Sequence, residues 1–528
     1  MHFHPLRRSQ CLASQCNRRD SDEIRLEEMS SPRVLESDST AGRPVALDRR
    51  QFLGLSAAAL ASQACSANHE PTSETAKPNV LFLAVDDLNS WLGCMNGHPQ
   101  TRSPNMDRLA ARGVVFHNAH CQAPICGPSR ASLMSGYLPS TTGIYGQISD
   151  RDLREASPET GSTPFLPEWF ARNGYHTMGV GKLFHGHAPD SAFAESGGRE
   201  SGFGPRPEKR IHWDRDKTST DWGPFPETDE EMPDFRTAQW AVERLGRDHE
   251  APFFLAAGFL RPHVPWHVPK KWFDLFPPDD LEMPPYRPGD QDDVPTISRE
   301  LHALPMMPTT EWAIESGQWK YIVQAYLACI AFVDAQVGKV LDALDASPYT
   351  DNTYVVLWGD HGYHIGEKNR FGKHSVWEEA TRTPLIVAGP GIAAGSTRKP
   401  AGLIDLYPTL TDLCGLPSNA ANEGHSLRTV LEDPNSADWP HAALTTYGRN
   451  NHGVRDERYR YIRYEDGSEE LYDHEDDAHE WNNIADDPAY GEVKQRLAAH
   501  LPELNVPWSE KSVYDYNEYL EALRERNL

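Results

Sequence analysis

The sequence predicts an α/β protein with a central sheet flanked by helices, followed by a smaller α+β subdomain. Short apolar runs alternate with helical patterns through most of the chain, and these runs are continuously hydrophobic, as in strands buried on both faces. After Pro417 the pattern changes to short strand-like pieces joined by polar turns. A chain of 528 residues has room for a large domain and a smaller companion.

The large domain is predicted to occupy residues 78–430. Its candidate strands cover residues 80–85, 114–117, 176–180, 253–259, 354–358 and 385–388, and its candidate helices cover 106–111, 319–344 and 403–414. Two stretches rich in Pro, Gly, Asp and Glu, 188–234 and 277–310, are predicted to be long surface loops of the kind that frames a pocket.

The smaller subdomain is predicted to occupy residues 431–528. Strand-like segments are expected at 445–447, 459–464 and 470–472, with a hairpin turn at Asp466-Gly467 and a helix near 517–526.

Residues 1–67 resemble a leader rather than part of the fold. Arg49-Arg50 precedes a short apolar run at 55–64, a pattern typical of a twin-arginine export signal, and Met29 is an alternative start. The sequence predicts export to a bacterial periplasm or cell surface. A lipid anchor at Cys65 and simple cleavage near Ala67 both remain open.

Composition excludes some functions. The net charge of −26 disfavours a nucleic-acid partner, and the main body has no apolar stretch long enough to span a bilayer, which leaves the anchor at Cys65 as the one expected membrane link. Five cysteines lie beyond the leader, too few and too scattered for a disulfide framework: Cys94, Cys121, Cys126, Cys329 and Cys414.

Cys126 stands in the strongest local motif, Cys-Gly-Pro-Ser-Arg at residues 126–130. Pro128 and Ser129 favour a helix start, which would place Cys126 at a helix N-terminus, where free N–H groups attract an anion. The alternative is a small buried hydrophobic residue or a metal ligand.

Acidic residues follow two of the predicted strands. Asp86 and Asp87 come directly after the strand at 80–85, and Asp360 and His361 follow the strand that begins at Tyr354. Active sites of open α/β sheets form at the carboxyl ends of strands. Three converging carboxylates would repel one another without a hard divalent cation. Alternatively, each acidic group only caps the next helix.

Basic residues also follow the predicted strands. Lys182 and His185 come after residues 176–180, His263 comes after 253–259, and Lys373 follows the acidic group at 360. A lone surface Lys or His is usually solvated and inactive, but this shared placement favours a common site.

Together these motifs resemble the type I sulfatases of the alkaline-phosphatase superfamily over residues 78–487. The resemblance is greatest to the iduronate-2-sulfatase branch, at residues 87–94, 102–105, 182–185 and 262–265. It implies an alkaline-phosphatase-like mixed sheet flanked by helices, with a C-terminal subdomain that carries an antiparallel sheet.

The resemblance also implies a maturation step and a metal. A formylglycine-generating enzyme would oxidise Cys126 to formylglycine. One calcium ion would be bound by Asp86, Asp87, the modified Cys126, Asp360 and His361. Many sulfatases carry Asn at the position of His361, and the histidine resembles the iduronate-2-sulfatase branch.

The roles of the remaining residues are implied in the same way. The hydrated aldehyde would attack the sulfate ester, with its oxygen held by calcium and Arg130. Lys182 and Lys373 would neutralise the sulfate oxygens. His263 would protonate the leaving alcohol, and His185 would take the second proton.

The expected substrate is a sulfated saccharide, hydrolysed from its end at a uronate or related residue. Residues 450–455 are predicted either to contact the sugar, through His452 and Arg455, or to form a polar turn. Two other functions stay open: a formylglycine-dependent phosphodiester or phosphonate monoester hydrolase, and a glycan-binding protein in which Cys126 is unmodified.

Overall fold

The computed structural model describes residues 77–200 and 202–528. The predicted export signal and the candidate anchor Cys65 lie outside these residues. Within them, no helix combines the length and the apolar character needed to cross a membrane. The five described cysteines are all unpaired.

The strands form one large sheet and several small ones. Their bounds are β1 Asn79–Val85, β2 Gly113–Phe116, β3 Ala119–His120, β4 Gln147–Ile148, β5 His176–Gly181, β6 Glu195–Gly198, β7 Phe253–Phe259, β8 Thr353–Gly359, β9 His364–Ile365, β10 Phe371–Gly372, β11 Leu385–Ala388, β12 Gly395–Thr397, β13 Ala401–Gly402, β14 Ala443–Thr446, β15 His452–Arg455, β16 Tyr459–Arg463, β17 Glu469–Asp473 and β18 Ser512–Val513.

The helices include long packing helices and single turns. Their bounds are α1 Pro104–Ala110, α2 Cys126–Ser135, α3 Pro139–Thr142, α4 Pro158–Ser162, α5 Leu166–Arg172, α6 Pro233–Leu245, α7 Lys270–Phe273, α8 Thr296–Leu301, α9 Thr310–Glu315, α10 Trp319–Asp345, α11 Glu378–Thr381, α12 Leu406–Leu413, α13 Arg428–Glu432, α14 Gly491–Ala498 and α15 Glu518–Asn527.

The central sheet has eight strands in the order β12-β2-β11-β8-β1-β7-β5-β6. β1 lies parallel to both β7 and β8, whereas β11 runs antiparallel to β8 and β2, so the sheet is mixed. All six strands predicted for the large domain are present in it. β6 was not predicted, because its sequence Glu-Ser-Gly-Gly carries no apolar pattern.

The central sheet is buried on both faces. Along β1, Leu81 and Leu83 pack in one hydrophobic cluster, which includes α10, whereas Phe82 and Ala84 pack in a second cluster on the other face. The continuous hydrophobicity of the strands follows from this double burial.

The C-terminal part contains a four-stranded antiparallel sheet in the order β14-β15-β16-β17. The three predicted strands and the final helix are present within one or two residues, and β15 is additional. This sheet shares a core with the large domain, where Trp377 packs in one cluster with Tyr447, Ile462 and Tyr514.

Candidate active site

The site lies at the carboxyl ends of two adjacent parallel strands. Val85 at the end of β1 is in register with Gly359 at the end of β8, so the acidic residues that follow meet at one edge of the sheet. The backbone N–H of Asp87 donates to Oδ1 of Asp360 at 3.0 Å. Asp87 has a φ of 57°, a left-handed conformation that is uncommon for a residue with a side chain.

Cys126 is the first residue of α2, as the motif predicted. Its sulfur accepts from Nζ of Lys373 at 2.9 Å and lies 3.2 Å from Nε2 of His361. Oδ1 of Asp87 is 3.7 Å from the same sulfur. The structure therefore brings the predicted nucleophile against the predicted metal ligands and one predicted lysine.

Arg130, one turn further along α2, joins the two acidic groups. Nε donates to Oδ2 of Asp360 at 2.9 Å, and Nη2 donates to Oδ1 of Asp86 at 3.1 Å. Nη1 donates to the backbone carbonyls of Lys182 and Leu183. The guanidinium is buried and fully engaged, so it fixes the carboxylates that surround the nucleophile.

The two lysines make different ion pairs. Lys182 binds Oδ2 of Asp86, whereas Nζ of Lys373 lies 2.6 Å from Oδ1 of Asp87. Burial by itself would raise the pKa of Asp86, but the adjacent Lys182 holds it well below its usual range. Burial does raise the pKa of Asp87, and Lys373 only partly offsets that effect.

Burial disfavours the protonated form of both predicted proton-transfer histidines. Burial, reinforced by Lys182, lowers the pKa of His185 to about 3 and that of His263 well below its usual range. Nδ1 of His263 donates to the carbonyl of Val264 at 2.6 Å, and its Nε2 lies 3.9 Å from Oδ2 of Asp87. The ring of Phe203 stacks on His263 at 4.3 Å between centroids.

The acidic groups fit a divalent cation. Ligand atoms of Asp86, Asp87 and Cys126 lie within 4.8 Å of one another, and so do those of Cys126, Asp360 and His361. Oδ2 of Asp87 is buried and has no hydrogen-bond partner among the described residues. A buried carboxylate oxygen without a donor is costly unless a cation completes its environment.

The tautomer of His361 also suits ligation. Its Nδ1 donates to the carbonyl of Gly362 at 2.9 Å, which leaves the lone pair of Nε2 facing the carboxylates. A backbone partner on the second ring nitrogen is typical of metal-binding histidines.

A cavity of about 400 Å³ opens over the cluster. Asp87, His185, His263 and Lys373 contribute to its lining. Its walls come from both predicted loops and from the C-terminal tail, through Phe203, Lys217, Thr218, Thr220, Leu304, Met306, Met307 and Tyr516. The prediction that the two loops frame a pocket is therefore confirmed.

The sugar contact, one of the two alternatives for residues 450–455, is wrong. Residues 450–455 do not reach the cavity, because His452–Arg455 forms the buried strand β15. Nε of Arg455 donates to Glu378 at 3.2 Å, which leaves the guanidinium unavailable to a sugar.

Phe203 and Tyr516 were missed by the sequence interpretation. Phe203 lies in a Gly- and Pro-rich stretch without periodicity, so nothing local marked it. Tyr516 lies two residues after Tyr514 and directly before the predicted final helix at 517–526, and this aromatic pair was the only available signal.

Comparisons with known proteins agree with this geometry. Residues 78–416 match the sulfatase family model, and residues 366–507 match the model of the N-sulphoglucosamine sulphohydrolase C-terminal region. The chain belongs to the sulfatase family. It is accordingly a sulfuric ester hydrolase, and the predicted family and alkaline-phosphatase-like fold are both confirmed.

The chain is also similar to individual proteins of known sequence or structure. A sulfatase of Formosa agariphila is 50% identical over 459 residues, which cover 84% of this chain and 90% of that protein. Mouse iduronate 2-sulfatase is 32% identical over 402 residues, or 65% and 70% of the two chains. The solved structure of a 2-O GAG sulfatase is 26% identical with a TM-score of 0.62, covering 80% and 90%.

Proposed function

We propose that this enzyme removes sulfate from the end of a sulfated saccharide at a uronate residue, through a formylglycine derived from Cys126 and one calcium ion. The position of Cys126 carries the proposal. Its side chain begins α2 and contacts Lys373, His361 and Asp87 in the cluster beneath the cavity. The iduronate 2-sulfatase and 2-O GAG sulfatase relatives support the substrate class.

The calcium would be held by Asp86, Asp87, residue 126, Asp360 and His361. When bound, it would act as a Lewis acid toward the sulfate ester and the nucleophile oxygen. Arg130 and Lys182 contact the two oxygens of Asp86 directly, which favours the ionised carboxylate that a metal ligand needs.

The formylglycine would supply the nucleophile. When residue 126 is a hydrated aldehyde, one hydroxyl provides the attacking oxygen, and deprotonation of the other permits release of sulfate as the aldehyde forms again. Lys373, beside the residue 126 side chain, would offset negative charge on the sulfate oxygens.

Proton transfer is assigned to the two cavity histidines. His263 projects Nε2 toward the cluster because its Nδ1 is bound to the carbonyl of Val264. A bound sulfate ester brings negative charge that favours the protonated ring, so His263 would protonate the leaving alcohol. His185 is neutral and would accept the proton of the second hydroxyl.

The predicted export signal at Arg49-Arg50 supports a periplasmic or cell-surface location for this reaction. Such a location would expose the enzyme to environmental polysaccharide fragments. A formylglycine-generating maturation enzyme is the implied partner.

Saccharides with a single sulfate test the proposal. Matured enzyme should release sulfate from a 2-O-sulfated uronate at the non-reducing end and not from the same residue placed internally. Mass spectrometry of the peptide that carries residue 126 should show an aldehyde. Complete retention of the thiol would favour a binding protein, and preferential turnover of a phosphodiester would favour the other hydrolase class.

A further inference from the structure

The chain after residue 507 lies beyond both matched family regions and returns to the catalytic site. β18 pairs antiparallel with β4, with Ser512 opposite Ile148 and Val513 opposite Gln147. Gln147 in turn accepts from the backbone N–H of Gly127, beside the predicted nucleophile. The tail is thus held next to the start of α2 by backbone pairing.

Tyr514 anchors the next part of the tail. Its hydroxyl lies 3.0 Å from Nδ1 of His374 and 2.6 Å from the hydroxyl of Tyr447. The side chain is buried. His374 directly follows Lys373, so this contact fixes the tail relative to the lysine that touches Cys126.

Tyr516 occupies a different environment two residues later. It lines the cavity and is only half-buried, with its ring centroid 5.8 Å from that of His374. No described residue forms a hydrogen bond with its hydroxyl. Tyr516 therefore contributes to the cavity lining an aromatic ring and a hydroxyl that no described residue binds.

Lys217 joins the tail to the loop on the cavity wall. Its Nζ donates to the backbone carbonyl of Asp515 at 2.7 Å. Lys217 and its neighbours Thr218 and Thr220 line the same cavity as Tyr516. This hydrogen bond links the loop and the tail, which are 298 residues apart in the sequence.

From this geometry we infer that Tyr516 is a specificity residue that contacts the ring of the sulfated sugar. The inference deepens the proposed function and rests on its saccharide substrate. A pyranose offers an apolar C–H face and hydroxyl groups, which match the ring and the hydroxyl of a tyrosine. The basic residues beneath would take the sulfate, and the tail would recognise the sugar.

Binding measured without turnover tests the inference. In a Cys126→Ala background, calorimetry would give the Kd of two disaccharides, one sulfated at 2-O of a terminal uronate and one at 6-O of a terminal glucosamine. Tyr516→Ala should weaken the better-bound disaccharide about tenfold or more, because an aromatic contact and a hydrogen bond are both lost. Tyr516→Phe should weaken binding of the same disaccharide less, because it removes only the hydroxyl.

The matched control is Tyr519→Phe on the same tail, whose hydroxyl donates to Glu465 away from the cavity lining. It should leave the Kd unchanged. In enzyme with Cys126 intact, Tyr516→Ala should lower kcat/KM for the disaccharide more than for 4-nitrophenyl sulfate. Equal Kd values in Tyr516→Ala and its parent would overturn the inference, whereas aryl sulfate turnover without binding of either disaccharide would overturn the proposed saccharide substrate.

Discussion

Two clusters of buried charged side chains can be compared in this structure. The catalytic cluster consists of Asp86, Asp87, Arg130, Lys182, Asp360 and Lys373. The interface cluster, between the large domain and the C-terminal sheet, consists of Glu378, Arg455, Arg460, His474 and Glu480. In each region three ligand atoms lie within 4.8 Å of one another, close enough for a metal ion: those of Asp86, Asp87 and Cys126 at the catalytic cluster, and those of Glu378, His474 and Glu480 in the interface cluster.

Both carboxylates of the interface cluster accept hydrogen bonds from within the protein, although Nε of Arg460 has no hydrogen-bond partner among the described residues. Oε2 of Glu378 accepts from Arg455 at 3.2 Å and from Arg460 at 2.5 Å, and Nε of Arg460 lies 2.8 Å from Glu480. Burial would raise the pKa of Glu378, yet Arg455 and its other cationic neighbours hold it well below its usual range. None of these five residues lines the cavity.

The catalytic cluster differs in having a carboxylate oxygen without a donor. Oδ2 of Asp87 lacks a donor among the described residues, and Asp87 and Lys373 both line the cavity. Buried charge and shifted pKa values are therefore shared by a structural and a functional cluster. The catalytic cluster is distinguished from the interface cluster by Oδ2 of Asp87, a buried oxygen without a donor in a residue that lines the cavity.

Cys126→Ala should produce the largest effect on activity. We expect turnover to fall by more than about a thousandfold, because no other side chain replaces the nucleophile. Stability should change little, since only one sulfur is removed. Sulfate release and a thermal unfolding curve measure the two quantities. Activity within tenfold of the unsubstituted enzyme would exclude the covalent mechanism.

Loss of the metal should produce the second-largest effect on activity. Asp360→Asn, or treatment with a chelator, should lower kcat/KM by about a hundredfold or more, because the cation that orients the nucleophile is lost. Elemental analysis should find less calcium in Asp360→Asn. Glu378→Gln is the matched control, and it should keep the metal. Full activity of metal-free enzyme would contradict the calcium assignment.

Glu378→Gln should lower the stability of the protein and leave its activity nearly unchanged. Two buried guanidiniums would lose their carboxylate, which we expect to cost about 3 kcal/mol of unfolding free energy. Chemical denaturation measures this change, and kcat/KM of the folded variant should stay within about tenfold.

An exposed pair provides the control for that loss of stability. Glu475 is 64% exposed and contacts Arg458 at 2.5 Å. Glu475→Gln should leave the unfolding midpoint almost unchanged, because exposed ion pairs contribute little. Equal destabilisation by the two substitutions would show that the interface cluster has no special role.

The sequence allowed much of the catalytic cluster to be predicted. Asp86 and Asp360 directly follow apolar strands, and the parallel pairing of those strands brings their carboxyl ends together. Cys126 begins a helix that Pro128 and Ser129 favour. These residues are positioned by local sequence and by sheet topology, and both leave a pattern in the chain.

Contacts made by loops and by the tail were harder to predict. Tyr516 reaches the cavity because β18 pairs with β4 across more than 360 residues, and no local pattern encodes that pairing. Residues 450–455 were interpreted as a sugar contact or a polar turn, because the polar residues that are buried in β15 gave this segment a polar sequence. Glu378, the partner of Arg455, lies 77 residues away in the sequence, so no local pattern revealed this ion pair.

The smallest expected effect tests whether His452 is buried in β15 or contacts the sugar. Its ring is buried beside Thr446, and burial, with Arg463 adding, lowers its pKa to about 4. The unfolded-state pKa is about 6.5, so His452 contributes stability above that pH, which is lost progressively as the pH falls toward about 4. The unsubstituted protein should therefore lose more thermal stability between about pH 7 and about pH 5 than His452→Gln, which takes up no proton in this range. At neutral pH the same variant should hydrolyse the saccharide with an unchanged KM, because the side chain lies in β15 and outside the cavity. A raised KM with unchanged pH dependence of unfolding would instead place residues 450–455 in contact with the sugar.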